Sequence, residues 1–143
     1  MTGGLIALAA ALVAASALGL MLRRRAGRFR ASPEVLTEAD LGGPLGQRAT
    51  LVQFSTAFCA PCRPTRQILT QVAGMVDGVT HVEVDAAARL DLVRRLRINS
   101  TPTVLVLGPD GAVAKRAVGL PRKADVIAAL GGVVKPTKQT GGK

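Results

Sequence analysis

One stretch decides the fold of this chain: Leu51-Val52-Gln53-Phe54-Ser55-Thr56-Ala57-Phe58-Cys59-Ala60-Pro61-Cys62. Its first half, together with Thr50, is a short apolar run typical of a strand buried in the centre of a sheet. Beyond it, Ile68, Leu69, Val72 and Met75 recur at helical spacing, which predicts a helix over residues 62–75. The two cysteines are therefore expected where a strand gives way to a helix.

On both sides of this stretch, apolar runs alternate with helical patterns. Thr37 with Asp40 three residues later predicts a short helix over 38–41. Downstream, the patterns predict a strand (79–84), a helix (87–96), an antiparallel hairpin (104–107 and 112–118) and a closing helix (122–130) stopped by Gly131 and Gly132. Strands joined through helices imply parallel pairing. The expected fold class is α/β, with a central mixed sheet flanked by helices.

Cys59 and Cys62 carry the expected chemistry. At a helix N-terminus, unpaired N–H groups and the helix dipole stabilise a thiolate, which lowers a thiol pKa of about 8.5 toward about 7 or below. We therefore expect Cys59 to be the nucleophile. Cys62, one helical turn on and more buried, would be the resolving cysteine that attacks a mixed disulfide from inside. Pro61 suits an early helical position and stiffens the loop between them.

A Cys-x-x-Cys pair can also be half of a zinc or iron–sulfur site, or a purely structural disulfide. The chain contains 2 cysteines and 1 histidine, His81. A four-ligand site would need ligands from a second subunit, so we expect neither a metal nor a bound cofactor.

The stretch 51–62 resembles the strand and active-site segment of the thioredoxin superfamily. Thr101-Pro102-Thr103 resembles the cis-proline segment of that family, and the likeness covers residues 35–130. It implies a thioredoxin-like fold in which this proline faces the cysteines and presents backbone groups to an extended substrate. The residues that the resemblance assigns to substrate binding are Phe58, Ala60, Pro61, Thr101 and Pro102.

Three positions depart from the family pattern. Phe58 stands where the family commonly has Trp, so an apolar contact stays while an indole donor is lost. Gln53 replaces a frequent buried Asp that accepts a proton from the second cysteine, and His81 replaces the Lys across from that Asp. Because Gln cannot titrate, proton transfer at Cys62 needs another route. Gln53 and His81 are a possible proton relay; the alternative is that His81 is simply a half-exposed residue at a strand start.

The N-terminal residues 3–22 carry no charge and are long enough, as a helix, to cross a hydrocarbon core of about 30 Å. We expect residues 1–22 to form a transmembrane anchor that contacts the lipid bilayer through residues 3–22. A cleaved signal peptide is the alternative, because Ala15-Ser16-Ala17 has the small-x-small form of a cleavage site. A signal peptide usually has positive charge before its apolar region, whereas residues 1–4 have none.

Five arginines follow the apolar segment: Arg23, Arg24, Arg25, Arg28 and Arg30. The positive-inside bias predicts that they keep the following domain in the cytoplasm. If they only bind lipid headgroups, they do not influence topology, and an extracytoplasmic domain is the alternative. The expected organisation is a basic linker at 23–33, a thioredoxin-like domain at 34–132 and a disordered polar tail at 133–143.

The net charge of +10 is concentrated at the ends of the chain. Residues 34–132 contain 11 basic and 9 acidic residues, which leaves that span at +2. A nucleic-acid groove needs clustered cations and aromatic side chains for stacking, and the 3 aromatic residues here are all Phe. Nucleic acid is therefore not an expected partner.

These observations predict a membrane-tethered dithiol protein that reduces disulfides in client proteins. Its electrons would come from a reductase or a membrane electron donor. Two alternatives stay open. One is an extracytoplasmic thiol–disulfide reductase for cytochrome c maturation or disulfide repair, and the other is a non-catalytic, redox-responsive binding module.

Overall fold

The computed structural model describes residues 2–25 and 28–134 of the chain. The elements follow in the order α1 (Thr2–Arg25), α2 (Glu38–Leu41), β1 (Ala49–Ser55), α3 (Cys62–Met75), β2 (Val79–Asp85), α4 (Leu90–Arg95), β3 (Thr103–Leu107), β4 (Val113–Val118) and α5 (Lys123–Val133). Residues 135–143, most of the predicted disordered tail, lie outside the described residues.

Four strands form one mixed sheet in the order β2-β1-β3-β4. Strand β1 is parallel to β2 and antiparallel to β3, and β3 is antiparallel to β4. All seven residues of β1 are buried, which explains its nearly continuous apolar sequence. Helix α3 makes the crossover that parallel pairing of β1 and β2 requires. The predicted mixed α/β sheet is confirmed.

The two faces of the sheet bury separate apolar clusters, because side chains alternate along each strand. Leu51 and Val104 face helices α3 and α5, where they pack with Leu69 and Val126. The opposite face carries a second cluster from the sheet, α2, α4 and neighbouring loops: Leu36, Leu41, Val52, Phe54, Val84, Leu92, Leu96, Ile98, Leu105, Leu107 and Val113. The site at the end of β1 therefore rests on a strand held from both sides.

Two predicted helices, 87–96 and 122–130, have different bounds in the structure, at Leu90–Arg95 and Lys123–Val133. Helix α4 begins at Leu90, not at residue 87, because Asp85 accepts backbone N–H bonds from Ala88 and Arg89 and makes a turn there. Helix α5 does not stop at Gly131 but continues to Val133. Glycine costs a helix about 1 kcal/mol relative to alanine. The packing of Leu130 and Val133 against the core outweighs that preference.

Part of the basic linker is bound to the domain along the outer edge of β4. Arg30 exchanges two backbone hydrogen bonds of 2.6 Å with Arg116, and Val35 bridges Ala112. The Leu36 N–H donates to the Gly111 carbonyl oxygen at 2.9 Å. A Cβ added at Gly111 would lie 2.0 Å from the Leu36 carbonyl oxygen, so only glycine admits this approach. Residues 28–36 therefore cover an otherwise open sheet edge.

Helix α1 differs from every other described helix in being exposed throughout the part whose burial is described. Its residues Thr2–Leu22 have a mean hydropathy of 2.5 and form the one described helix that is long and apolar enough to cross a membrane. The helix continues to Arg25, so the first three linker arginines belong to its last turn.

Candidate active site

The cysteine pair lies in the short connection between strand β1 and helix α3. Strand β1 ends at Ser55, and the Cys59 N–H donates to the Thr56 carbonyl oxygen at 3.3 Å, which folds the chain back. The Cys62 N–H then donates to the Cys59 carbonyl oxygen at 3.2 Å. This turn brings the two Cα atoms to 5.3 Å, and a disulfide joins Cys59 to Cys62.

The two sulfur-bearing residues differ in exposure. Cys62 is only 2% exposed and belongs to the first turn of α3, whereas Cys59 is half-buried. An incoming disulfide can therefore reach Cys59 and not Cys62. The assignment of Cys59 as nucleophile and Cys62 as resolving cysteine stays a prediction, which this difference in exposure favours.

The start of helix α3 favours negative charge on the nearby sulfur. Pro61 occupies the N-cap position, and its carbonyl oxygen accepts a 2.8 Å bond from the Thr65 hydroxyl. The first turn contains no acidic residue, and Arg63 is exposed in it. Once the disulfide is reduced, the helix dipole and this arginine both act in favour of a thiolate.

The predicted proline segment lies beside the cysteine turn. The Thr101–Pro102 peptide bond is cis, as the resemblance implies. The hydroxyl oxygens of Thr101 and Thr56 are 3.4 Å apart, which joins the loop before β3 to the loop after β1. Pro102 is buried, and its carbonyl oxygen accepts the Gly119 N–H at 2.8 Å. The structure therefore brings the two predicted segments together.

A solvent-exposed apolar surface adjoins the reactive sulfur. Phe58 is 100% exposed, and Ala60 and Pro61 are exposed as well. Together they form an exposed apolar patch, and contiguous apolar patches are typical of contact surfaces. Of the residues assigned to substrate contact, Phe58, Ala60 and Pro61 therefore form an exposed surface next to Cys59 in the chain, and Thr101 and Pro102 belong to the loop that meets it through Thr56.

The side chain of Gln53 contacts the backbone of Cys62, the predicted resolving cysteine. Its side chain is fully buried, and Nε2 donates a 2.8 Å hydrogen bond to the carbonyl oxygen of Cys62. Its Oε1 has no hydrogen-bond partner among the described residues. Gln53 therefore ties the first turn of α3 to the central strand.

His81 lies on the same sheet face but in a different position along it. It is in register with Leu51, whereas Gln53 is in register with Glu83. Its Nδ1 is 3.2 Å from the Thr70 hydroxyl, and burial lowers the pKa of the imidazole. In the described part of the chain no hydrogen bond joins His81 to Gln53, so the structure does not bring the proposed relay pair into direct contact.

Sequence reasoning missed a charged cluster beneath α3. Glu83 accepts bonds from the Arg66 guanidinium and from the Ser55 hydroxyl, the latter at 2.6 Å. The Arg66 hydrogen bond is the main cause that lowers the pKa of Glu83. Arg66 lies one helical turn after Cys62, and parallel register places Glu83 near the end of β1. In the sequence, the spacing of Arg66 from Cys62 and the parallel register of Glu83 with the end of β1 could have indicated this cluster.

No group of three or more potential metal ligands occurs within residues 2–25 and 28–134. The chemistry that the arrangement supports is thiol–disulfide exchange at a half-exposed sulfur.

Comparison with known proteins agrees with this geometry. The thioredoxin family model matches residues 35–131. Thioredoxin from Chlamydia trachomatis is 27% identical over 94 residues, which cover 66% of this chain and 91% of that protein. Thioredoxin from Mycolicibacterium smegmatis is 33% identical over 86 residues, covering 58% and 76%.

Solved structures show the same likeness. Chloroplastic thioredoxin z superposes with a TM-score of 0.54 and 28% identity over 61% of this chain and 79% of that one. A single-residue mutant of thioredoxin from Halobacterium salinarum has a TM-score of 0.57 at 15% identity over 64% and 79%, a likeness of fold. With a family match over residues 35–131 and a paired Cys59 and Cys62 at the helix start, this chain belongs to the thioredoxin family.

Proposed function

We propose that this thioredoxin-like oxidoreductase reduces disulfide bonds in client proteins while tethered to a membrane by helix α1. One observation carries the proposal. A half-exposed Cys59 is paired with a buried Cys62 at the start of a helix that favours a thiolate.

The proposed reaction begins with the reduced pair. The Cys59 thiolate attacks one sulfur of the client disulfide, and the other client sulfur leaves as a thiolate that takes a proton. The Cys62 thiol then loses its proton and attacks Cys59 Sγ, which breaks the mixed disulfide and releases the second client sulfur. Two electrons have passed to the client, and the protein holds the Cys59–Cys62 disulfide. A dithiol of a reductase or of a membrane electron donor restores the reduced pair by the same exchange.

Phe58, Ala60 and Pro61 supply apolar contact to the client in this proposal. Thr101 supplies backbone groups from the adjoining loop, and Pro102, whose carbonyl oxygen accepts the Gly119 N–H, holds that loop in place. Because these residues belong to two loops joined by the Thr56–Thr101 contact, a bound segment would lie across both. No member of this surface carries charge, so shape and apolar contact would select clients more than charge does.

The Cys62 proton has to leave before the resolving attack. Gln53 holds the Cys62 carbonyl oxygen and cannot itself accept a proton. The relay through Gln53 and His81 remains a prediction, since His81 bonds to Thr70 instead. The structural contribution of Gln53 is to position the resolving cysteine against Cys59.

Tethering through α1 and a cytoplasmic domain are parts of the same proposal. They are supported by the apolar, fully exposed span Thr2–Leu22 and by the arginines that follow it. A cytoplasmic domain would receive electrons from a soluble reductase.

Insulin reduction by the full chain in detergent, with dithiothreitol as electron donor, tests the activity. We expect the rate to exceed that of the Cys59→Ser/Cys62→Ser double variant, which measures the background of dithiothreitol alone. Equal rates would contradict catalysis and favour a redox-responsive binding module.

A further inference from the structure

A shallow cavity, open to solvent, lies between the linker and helix α5, on the sheet edge away from β2. Its volume is about 540 Å³, and Arg28, Arg30 and Lys115 line it together with Phe29 and residues of α5. At about 30 Å³ for each water, this space could hold a phosphate with an attached glycerol. We refer to it as the linker cavity.

The linker cavity is positively charged. Its one acidic lining residue, Asp125, already accepts two bonds from the Arg122 guanidinium, at 2.8 Å and 3.1 Å. Within residues 28–134, the structure gives Arg28, Arg30 and Lys115 no side-chain hydrogen bond or ion pair. Three cations therefore face a space in which no described anion is left to neutralise them.

The backbone of the fold holds these cations in place. Arg30 exchanges both backbone hydrogen bonds with Arg116 of the edge strand, and Lys115 is the neighbouring residue on that strand. Phe29, between the two arginines, packs against the cluster under α3 and α5. The cavity is thus built from anchored segments rather than from a loose basic tail.

The linker cavity also lies close to the end of the apolar helix. The candidate span ends at Leu22, and α1 continues to Arg25, which adds about 4.5 Å at 1.5 Å per residue. Three Cα–Cα steps of about 3.8 Å limit the distance from Arg25 to Arg28 to about 11 Å. A headgroup layer is about 5–8 Å thick on each side of the hydrocarbon core. Phosphate groups of a bilayer would therefore be within reach of the cavity.

We propose that the linker cavity binds the phosphate of an anionic phospholipid headgroup. The inference rests on the proposed membrane attachment through α1. Cations attract an anionic surface over about a Debye length, and each contributes about fivefold in association near it. The ligand would be a phosphoglycerol or similar headgroup held between Arg28, Arg30 and Lys115, which would orient the domain on the membrane.

Native mass spectrometry of the full chain in detergent, with phosphatidylglycerol or phosphatidylcholine added, tests this site. We expect a retained phosphatidylglycerol adduct and little phosphatidylcholine. The Arg28→Gln/Arg30→Gln/Lys115→Gln variant should bind phosphatidylglycerol about tenfold more weakly or worse. The control Arg94→Gln/Arg97→Gln/Lys123→Gln removes the same charge from exposed positions outside the cavity lining and should bind as wild type does. Both variants keep the arginines at 23–25. Any attraction of lipid to those residues is therefore the same in both variants and does not affect the comparison between them.

Equal loss of lipid in both variants, or no loss in the cavity variant, would overturn the site. Displacement by inorganic phosphate at the same concentration as the lipid would also overturn it, because the cavity would then bind free phosphate. Carbonate extraction of the chain from membranes tests the attachment separately. A chain that resists extraction but shows no lipid preference contradicts the headgroup site alone. A chain that carbonate releases contradicts the membrane attachment and the site with it.

Discussion

Cys59 and Cys62 have identical side chains but different surroundings, and we expect them to act in different steps of the exchange. Because Cys59 is the half-exposed member and Cys62 is 2% exposed, we predict that Cys59 makes the first attack. We expect Cys59→Ser to reduce insulin turnover to background. Cys62→Ser should instead accumulate mixed disulfides, since attack occurs without resolution. Non-reducing gels and the insulin assay distinguish the two variants. Equal partial activity in both would contradict the assignment.

Gln53 offers a test of how the second sulfur is controlled. Gln53→Asp removes the amide donor to the Cys62 carbonyl oxygen and places a titratable group in its buried position. We expect a stability loss of about 1–3 kcal/mol and a resolving rate that acquires a new pH dependence. Gln53→Asn is the matched control, because it shortens the side chain equally and cannot titrate. Stopped-flow turnover with the same pH profile in both variants would show that a carboxyl group at position 53 does not exchange a proton with Cys62.

His81 should make the stability of the domain depend on pH. Burial lowers the pKa of the folded-state imidazole below its usual value near 6.5. Between the lowered folded-state pKa and the usual value, the unfolded chain binds more protons than the folded chain does. The free energy of unfolding therefore falls as the pH falls through this window. Denaturant unfolding at about pH 7.5 and about pH 5.5, on either side of the usual imidazole pKa, measures this slope. His81→Gln should flatten it, and an equal slope in the variant would mean that other groups cause the dependence.

At the scale of elements, local patterns predicted most of the fold. The helical spacing of Leu69 and Val72 and the unbroken apolar run of β1 need only neighbouring residues to be recognised, and both elements are confirmed. The short α2 is confirmed too, with the Thr37 and Asp40 capping box in place. What the sequence could not show depends on distant residues. The extension of α5 through two glycines and the attachment of Arg30 to Arg116 are set by packing across the fold.

The candidate site also contains residues that local motifs predict and residues that only the tertiary structure brings together. Cys59, Cys62 and Pro102 belong to motifs with fixed spacing, so their positions could be predicted. The cluster of Ser55, Arg66 and Glu83 depends on strand register and on the seating of α3 against the sheet, and no single motif contains it.

Gly111 is the point at which the linker and the hairpin meet. Its φ of +81° is a conformation that L side chains rarely adopt, and an added Cβ would meet the Leu36 carbonyl oxygen at 2.0 Å. We expect Gly111→Ala to lower the free energy of unfolding by about 1–3 kcal/mol by displacing the linker. Gly131→Ala is the control, because nothing lies within 4 Å of its added Cβ. It should raise helix stability by up to about 1 kcal/mol. Denaturant unfolding of both variants measures the difference, and a neutral Gly111→Ala would show that the linker contact contributes little.

At the scale of the whole molecule, the arginines after the apolar span predict on which side of the membrane the thioredoxin-like domain lies. The five arginines that follow the apolar span predict a cytoplasmic domain. Fusions of alkaline phosphatase and of a fluorescent protein after Lys143 in intact bacteria measure it. We expect fluorescence without phosphatase activity. Phosphatase activity would contradict the prediction and favour an extracytoplasmic reductase supplied through the membrane.

The attachment of the linker to β4 has a geometric consequence for catalysis. Arg30 bridges Arg116, two residues before the end of β4, and Val118 at that end is in register with Thr103, which faces Phe54 near the end of β1. Arg116 itself is in register with Leu105, which faces Val52 in the middle of β1, so the anchoring point lies at mid-sheet and the antiparallel linker reaches it from the cysteine end. With strands about 4.8 Å apart, the linker at the outer edge of β4 lies three strand spacings, about 14 Å, from β1. If α1 spans a bilayer, Cys59 would lie close to the lipid surface. A client bound to the same membrane would then reach Cys59 by two-dimensional diffusion and at a high effective concentration.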